Sequence, residues 1–106
     1  MTAFQLREEQ DRVVLSPLAD LADDVAEALR PALMSAAAAG RHVVVDLHAV
    51  HTIEPAALSL LVRAHREARQ HGGTVSLAAP SRFVQTVLHT MRLDGVFPVL
   101  GESPAT

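Results

Sequence analysis

The chain has 106 residues, 49% hydrophobic and 20% charged, with nine basic against twelve acidic side chains and a net charge of −3. Such a length supports one domain that buries roughly 65% of the surface its unfolded form exposes, without staples. The acidic balance and the lack of Trp and Tyr beside three Phe argue against a nucleic-acid binder, which needs basic patches and stacking faces. With no cysteine, disulfides, thiol catalysis and thiolate metal sites are excluded. The start, MTAFQLREEQDR, lacks a signal-peptide core, and no apolar run approaches the length of a membrane span. A soluble, cytoplasmic chain without membrane insertion is expected.

Residues 3–8 alternate weakly and residues 11–16 hold a β-branched run, so the two are expected to pair as a hairpin with the first strand at an edge. Leu18, Leu21, Val25, Leu29 and Leu33 then recur at three- and four-residue steps, which predicts a helix from Leu18 with Asp20, Asp23 and Asp24 near its first turns. Pro31 predicts a kink or break in it, and Gly40 its C-terminal cap. The apolar run of residues 41–47 reads as a strand covered on both faces, or at least a central one. Residues 55–71 carry the clearest helix, with Pro55 at its first position and Gly72-Gly73 at its end. A strand follows at 74–79. Ser81 suits the N-cap of a third helix, lined by Phe83, Val84, Val87, Leu88 and Met91. Residues 96–100 read as a last strand, held to an edge by Pro98, and the tail 101–106 is expected to fray. The implied class is α/β: one domain over 1–106, with a mixed, mostly parallel sheet of four to five strands, an N-terminal hairpin and three main helices.

Asp46, His48, His51 and Glu54 cluster in sequence just after a strand, but a loop without fixed geometry is a weak metal signal, and solvent-facing imidazoles are the ordinary outcome. His65 and His71, six apart on one helix, share no face well. Neither a glycine-flanked nucleophile nor a phosphate-binding glycine loop occurs. Paired carboxylates at Asp46 and Glu54 lack a defining pocket. No catalytic residue, metal site or cofactor is therefore expected. Arg63, Arg66 and Arg69 run along one side of the second helix, as a solvated face or a partner surface.

Three features carry a family resemblance. Asp46, Leu47, Val50, Ile53 and Glu54 form a strand end followed by an acidic residue at a helix mouth. The second helix runs into Gly72-Gly73 and a strand. Leu93, Asp94, Val96, Phe97, Pro98 and Val99 close the fold. Over residues 41–100 the chain thereby resembles the STAS domain family, in particular its anti-sigma-factor antagonists. The first 40 residues match only in element order, and SPLADLADD stands where the family has a Gly-Glu-Leu-Asp-like turn.

The resemblance implies a STAS-like fold and a non-enzymatic protein-interaction role in bacterial transcription control. The implied partner is an anti-sigma factor with a serine-kinase-type ATPase domain. The family motif at the helix mouth reads Asp-Ser-Ser/Ala-Gly-Leu, and Glu54, Pro55, Ala56, Ala57 and Leu58 occupy its positions. In antagonists the first Ser is phosphorylated by the partner, and the added charge blocks docking. Pro55 and Ala56 have no hydroxyl, so no phosphorylation is expected at the family position, and neither Thr52 nor Ser59 matches it. Glu54 is also a poorer N-cap than Asp. The expected contact surface is Glu54, Pro55, Ala56 and Leu58 at the centre, with Arg63 and Arg66 at the rim. Mutation of Leu58 or Glu54 to Lys is expected to abolish docking without unfolding the domain. A STAS regulatory subunit of a lipid or anion transport complex is the alternative. A second copy of the chain, paired through the N-terminal strand, is a partner the sequence leaves open.

Overall fold

Phe4–Glu8 (β1) and Val13–Pro17 (β2) pair antiparallel in the computed structural model, which describes residues 2–104. Leu6 faces Leu15 and Arg7 faces Val14, so the two sides of the hairpin differ in character. His42–Asp46 (β3), Thr74–Ala78 (β4) and the two-residue Val99–Leu100 (β5) join in parallel, in the order β1-β2-β3-β4-β5. The expected last strand is thus shortened: the chain is still turning at Val96, whose N–H bonds the Leu93 carbonyl at 3.0 Å. Pro98, with no N–H to donate, takes part only through its carbonyl, which accepts the Leu77 N–H at 2.9 Å.

Three helices make the connections: Asp23–Ala38 (α1), Pro55–Gln70 (α2) and Arg82–Thr90 (α3). Their buried stripes all meet one face of the sheet, where Val13, Leu15, Val43, Val45, Val75 and Leu77 join Leu29, Leu33, Leu61, Ala64, Val84 and Leu88 in one core. The alternate residues Val14, Val44 and Ala78 form a second buried cluster that contains no helix residue. Burial on both faces explains the unbroken apolar run of β3. The tail lies on this second face. Ser103 Oγ donates to Asp46 Oδ2 at 2.6 Å, and the Arg7 guanidinium donates to the Pro104 carbonyl at 2.7 Å. Ser103 and Pro104, in the segment expected to fray, are thus tied to β3 and β1, while 105 and 106 lie outside the described residues.

Two expectations for the first helix need correction. It begins at Asp23, not Leu18: Leu18 is exposed, and Leu21 forms an isolated parallel bridge with Ile53 instead. Nor does it break at Pro31, which is exposed and lies within a continuous helix. A proline inside a helix costs about 3 kcal/mol, and burying Leu29 and Leu33 on the opposite stripe returns roughly 2 kcal/mol each. All three helices end alike. The N–H groups of Gly40 and Arg41, of Gly72 and Gly73, and of Arg92 and Leu93 return to carbonyls of the last turn, as in a Schellman motif. Gly40 (φ +72°) is required at its place, since a Cβ there would collide with the His71 carbonyl.

Candidate partner-binding site at the mouth of helix α2

The loop between β3 and α2 is folded by three-residue periodicity. Leu47, Val50 and Ile53 turn inward and are buried, which leaves His48, His51, Thr52 and Glu54 exposed. Leu47 N–H bonds the Ala78 carbonyl at 2.8 Å, and Val50 N–H bonds the Leu47 carbonyl at 3.0 Å.

Two distant segments clamp the loop. From the stretch before α1, Leu21 N–H donates to the Thr52 carbonyl (3.1 Å) and Glu54 N–H donates to the Leu21 carbonyl (2.9 Å). Beside them, Asp20 Oδ1 accepts the N–H groups of His51 (2.7 Å) and Thr52 (3.1 Å). These backbone donors, His51 first, hold the Asp20 carboxyl below the usual aspartate range. From the other side, Ser81 Oγ donates to the His51 carbonyl at 3.0 Å and accepts the Val84 N–H at 3.1 Å. Ser81 thus caps α3, as expected, and also pins the loop. Asp20 was expected in the first turns of a helix; its role here depends on residues 31 and 32 positions away, which no local pattern carries.

Glu54 is the N-cap of α2 in extended geometry (φ −82°, ψ 155°), and its side chain makes no capping bond. Pro55 occupies the first turn. Glu54, Pro55 and Ala56 are exposed together, and Arg63 and Arg66 are exposed further along the helix. Leu58 departs from this surface. It is only 5% exposed and belongs to the core, so a lysine there would bury a charge and unfold the domain as well as disturb a surface.

The outer flank of α2 forms one wall of a groove of about 490 Å³; Met91 and Leu93, at the end of α3, form the other. Met91 follows the apolar spacing of α3, which predicts burial, yet it is 57% exposed. Ser59 lines this groove, whereas Thr52 lies on the clamped loop.

Asp46, His48, His51 and Glu54 do not converge. Asp46 is fully buried and accepts from the His48 N–H (3.2 Å), with His48 Nδ1 3.1 Å from its other oxygen, which also accepts from Ser103. Among the described residues, no three His, Asp or Glu side chains group as a metal site. His65 faces inward on α2. Its Nδ1 accepts the Val75 N–H at 3.0 Å, its ring lies 5.4 Å from that of Phe97, and burial pushes its pKa down. No helix of the described residues is long and apolar enough to cross a membrane.

Comparison with known proteins agrees with this architecture. The chain is similar to a putative anti-sigma factor antagonist from Thermotoga maritima (TM-score 0.81, 21% identity, 92% of this chain and 85% of that one). It is similar also to an anti-sigma-factor antagonist (STAS) domain protein from Planctomyces limnophilus (TM-score 0.80, 22% identity, 94% and 91%). A third similar structure is the anti-sigma factor antagonist SpoIIAA in its unphosphorylated form (TM-score 0.76, 19% identity, 92% and 87%). Likeness at these identities establishes the fold alone. No curated protein matches the chain. The family model described as "Mlab, STAS domain" matches residues 3–101, nearly the whole chain, and on that match the chain belongs to the STAS domain family.

Proposed function

We propose that the chain is a non-catalytic interaction module of the bacterial cytoplasm, which docks the kinase-type ATPase domain of an anti-sigma factor and thereby regulates transcription. The observation that carries this reading is the rigid, exposed helix mouth: Glu54, Pro55 and Ala56 are presented by a loop that Asp20, Leu21 and Ser81 hold in place. A surface fixed before binding loses little entropy on docking. The solved antagonists with the same fold support the choice of partner.

The contact surface is Glu54, Pro55 and Ala56, with Arg63 and Arg66 at the rim, and Leu58 supports it from beneath. Pro55 stands where antagonists of this family carry the phosphorylated Ser, so the module is always competent to bind. The same lack of a hydroxyl suits a permanently assembled subunit, and this favours a second reading: a STAS regulatory subunit of a lipid or anion transport complex. Co-elution tests the choice. The chain should form a complex with a purified kinase-type anti-sigma factor from its own cell, in the presence of nucleotide. Complex formation with a transporter ATPase alone would transfer the assignment.

A further inference from the structure

The groove beside α2 is lined at positions 55, 58, 62, 66 and 70, so it follows the helix for its whole length, roughly 22 Å at the helical rise per residue. Its floor is apolar. Leu58 and Val62 come from α2, and Leu93 is brought in by the terminal turn of α3, in which Arg92 takes a positive φ (+59°) and Leu93 N–H returns to the Leu88 carbonyl at 2.7 Å. Met91, a flexible side chain suited to irregular contacts, stands exposed at the rim.

The groove also carries two arginines that no carboxylate among the described residues neutralises. Arg7, Arg12, Arg30 and Arg41 each sit within 3.1 Å of a carboxylate. Arg63 and Arg66, like Arg69, Arg82 and Arg92, have no carboxylate within ion-pairing distance among the described residues, and of these five only Arg63 and Arg66 line the groove. The groove's one carboxylate, Glu67, is engaged by His71 at 2.9 Å.

We infer that this groove seats an acidic amphipathic helix of the partner, with apolar residues at helical spacing on the floor and carboxylates against Arg63 and Arg66. A groove that follows four turns of α2, apolar at Leu58, Val62 and Leu93 and polar towards Arg66 and Gln70, matches the helix-in-groove mode of recognition. Two unpaired guanidinium groups beside it supply the fork geometry that carboxylates fill. The inference rests on α2 being the partner-facing element, as proposed above, and adds the chemistry of what it receives.

Selection from a random library of displayed peptides, roughly 16 residues long to match four turns, tests it without knowledge of the partner. The immobilised full chain should enrich acidic sequences with apolar residues at i, i+3 or i+4, and i+7. A synthetic copy should bind about tenfold or more weakly to the Arg63→Glu/Arg66→Glu variant and to Met91→Glu, and weaken as salt rises from about 50 to about 500 mM. Unchanged circular dichroism and melting would show both variants folded. A basic or neutral consensus would overturn the inference, as would equal binding to wild type and folded variants. The two readings fail separately. An acidic consensus with no anti-sigma factor bound retires only the named partner; an anti-sigma factor bound through Glu54 with a basic consensus retires only the groove.

Discussion

The carboxylate of Asp20 receives the backbone N–H of His51 at 2.7 Å, across 31 residues of sequence, and the same oxygen takes the next amide, that of Thr52, at 3.1 Å. One side chain from the stretch before α1 thereby ties down the loop that presents the mouth of α2. The shape of the proposed docking surface thus depends on a residue outside it.

Replacing Asp20 with Ala should leave the fold intact and loosen the loop. Hydrogen exchange at the His51 and Thr52 amides should speed up roughly tenfold or more, with β3 unchanged, and Asp20→Asn should recover part of the protection through its remaining acceptor. The pH response has a definite sign. Since Asp20 titrates lower in the folded chain than in the unfolded one, its contribution is complete above the ordinary aspartate pKa and is lost as pH falls through the depressed value. Exchange protection that is equal in wild type and Asp20→Ala would refute the clamp.

Leu58 and its exposed neighbours should separate by stability. Leu58→Lys places a charge in a 5%-exposed core position and should cost about 3 kcal/mol or more. Glu54→Lys and Arg63→Glu, at exposed positions, should each stay within about 0.5 kcal/mol of wild type. Chemical denaturation measures all three. A Leu58→Lys variant as stable as wild type would contradict the placement of this side chain.

His65 should make the domain acid-sensitive. Burial, with Arg69 adding repulsion, lowers its folded pKa, and protonation at Nδ1 would remove the acceptor of the Val75 N–H. Its contribution is therefore complete above the unfolded histidine pKa, about 6.5, and is lost as pH falls through the lower folded value. His65→Gln retains an acceptor without a titrating charge, so its melting temperature should fall less than that of wild type between pH 7 and 5. Parallel curves for the two proteins would dismiss His65 as the cause.

Pro55→Ser restores a hydroxyl at the position that the family resemblance assigns to phosphorylation. The change should cost about 0.5–1 kcal/mol, because it frees the unfolded chain. With a kinase-type anti-sigma factor that binds the chain, and ATP, the variant should gain one phosphate and lose affinity, while wild type remains unmodified. Intact-mass spectrometry reads the result, and a phosphate on wild type would end the reading of Pro55 as a lost switch.

Much of the fold was legible from local pattern. The hairpin, the doubly buried β3, the amphipathic α2 with Pro55 at its start, and the Ser81 cap each express a rule confined to a few neighbouring residues. Leu18 and Leu21 misled because three-residue spacing also suits an irregular segment that buries one side chain; only the long-range bridge to Ile53 separates the two. Pro31 misled because propensity was outweighed by the buried stripe across the helix. At the site, the helix mouth was readable, but its clamp was not: Asp20 acts through tertiary hydrogen bonds. Met91 follows the helical stripe of α3 in sequence, yet it lies at the C-cap, where the stripe has run beyond its cover.

Crosslinked capture from lysate of the source cell, read by mass spectrometry, tests the central claim most directly, with wild type compared against a folded Glu54→Lys/Arg63→Glu variant. The account predicts that wild type alone recovers a protein with a kinase-type ATPase domain, crosslinked near the mouth of α2. Recovery of transporter subunits instead, or of the same proteins by both baits, would contradict it.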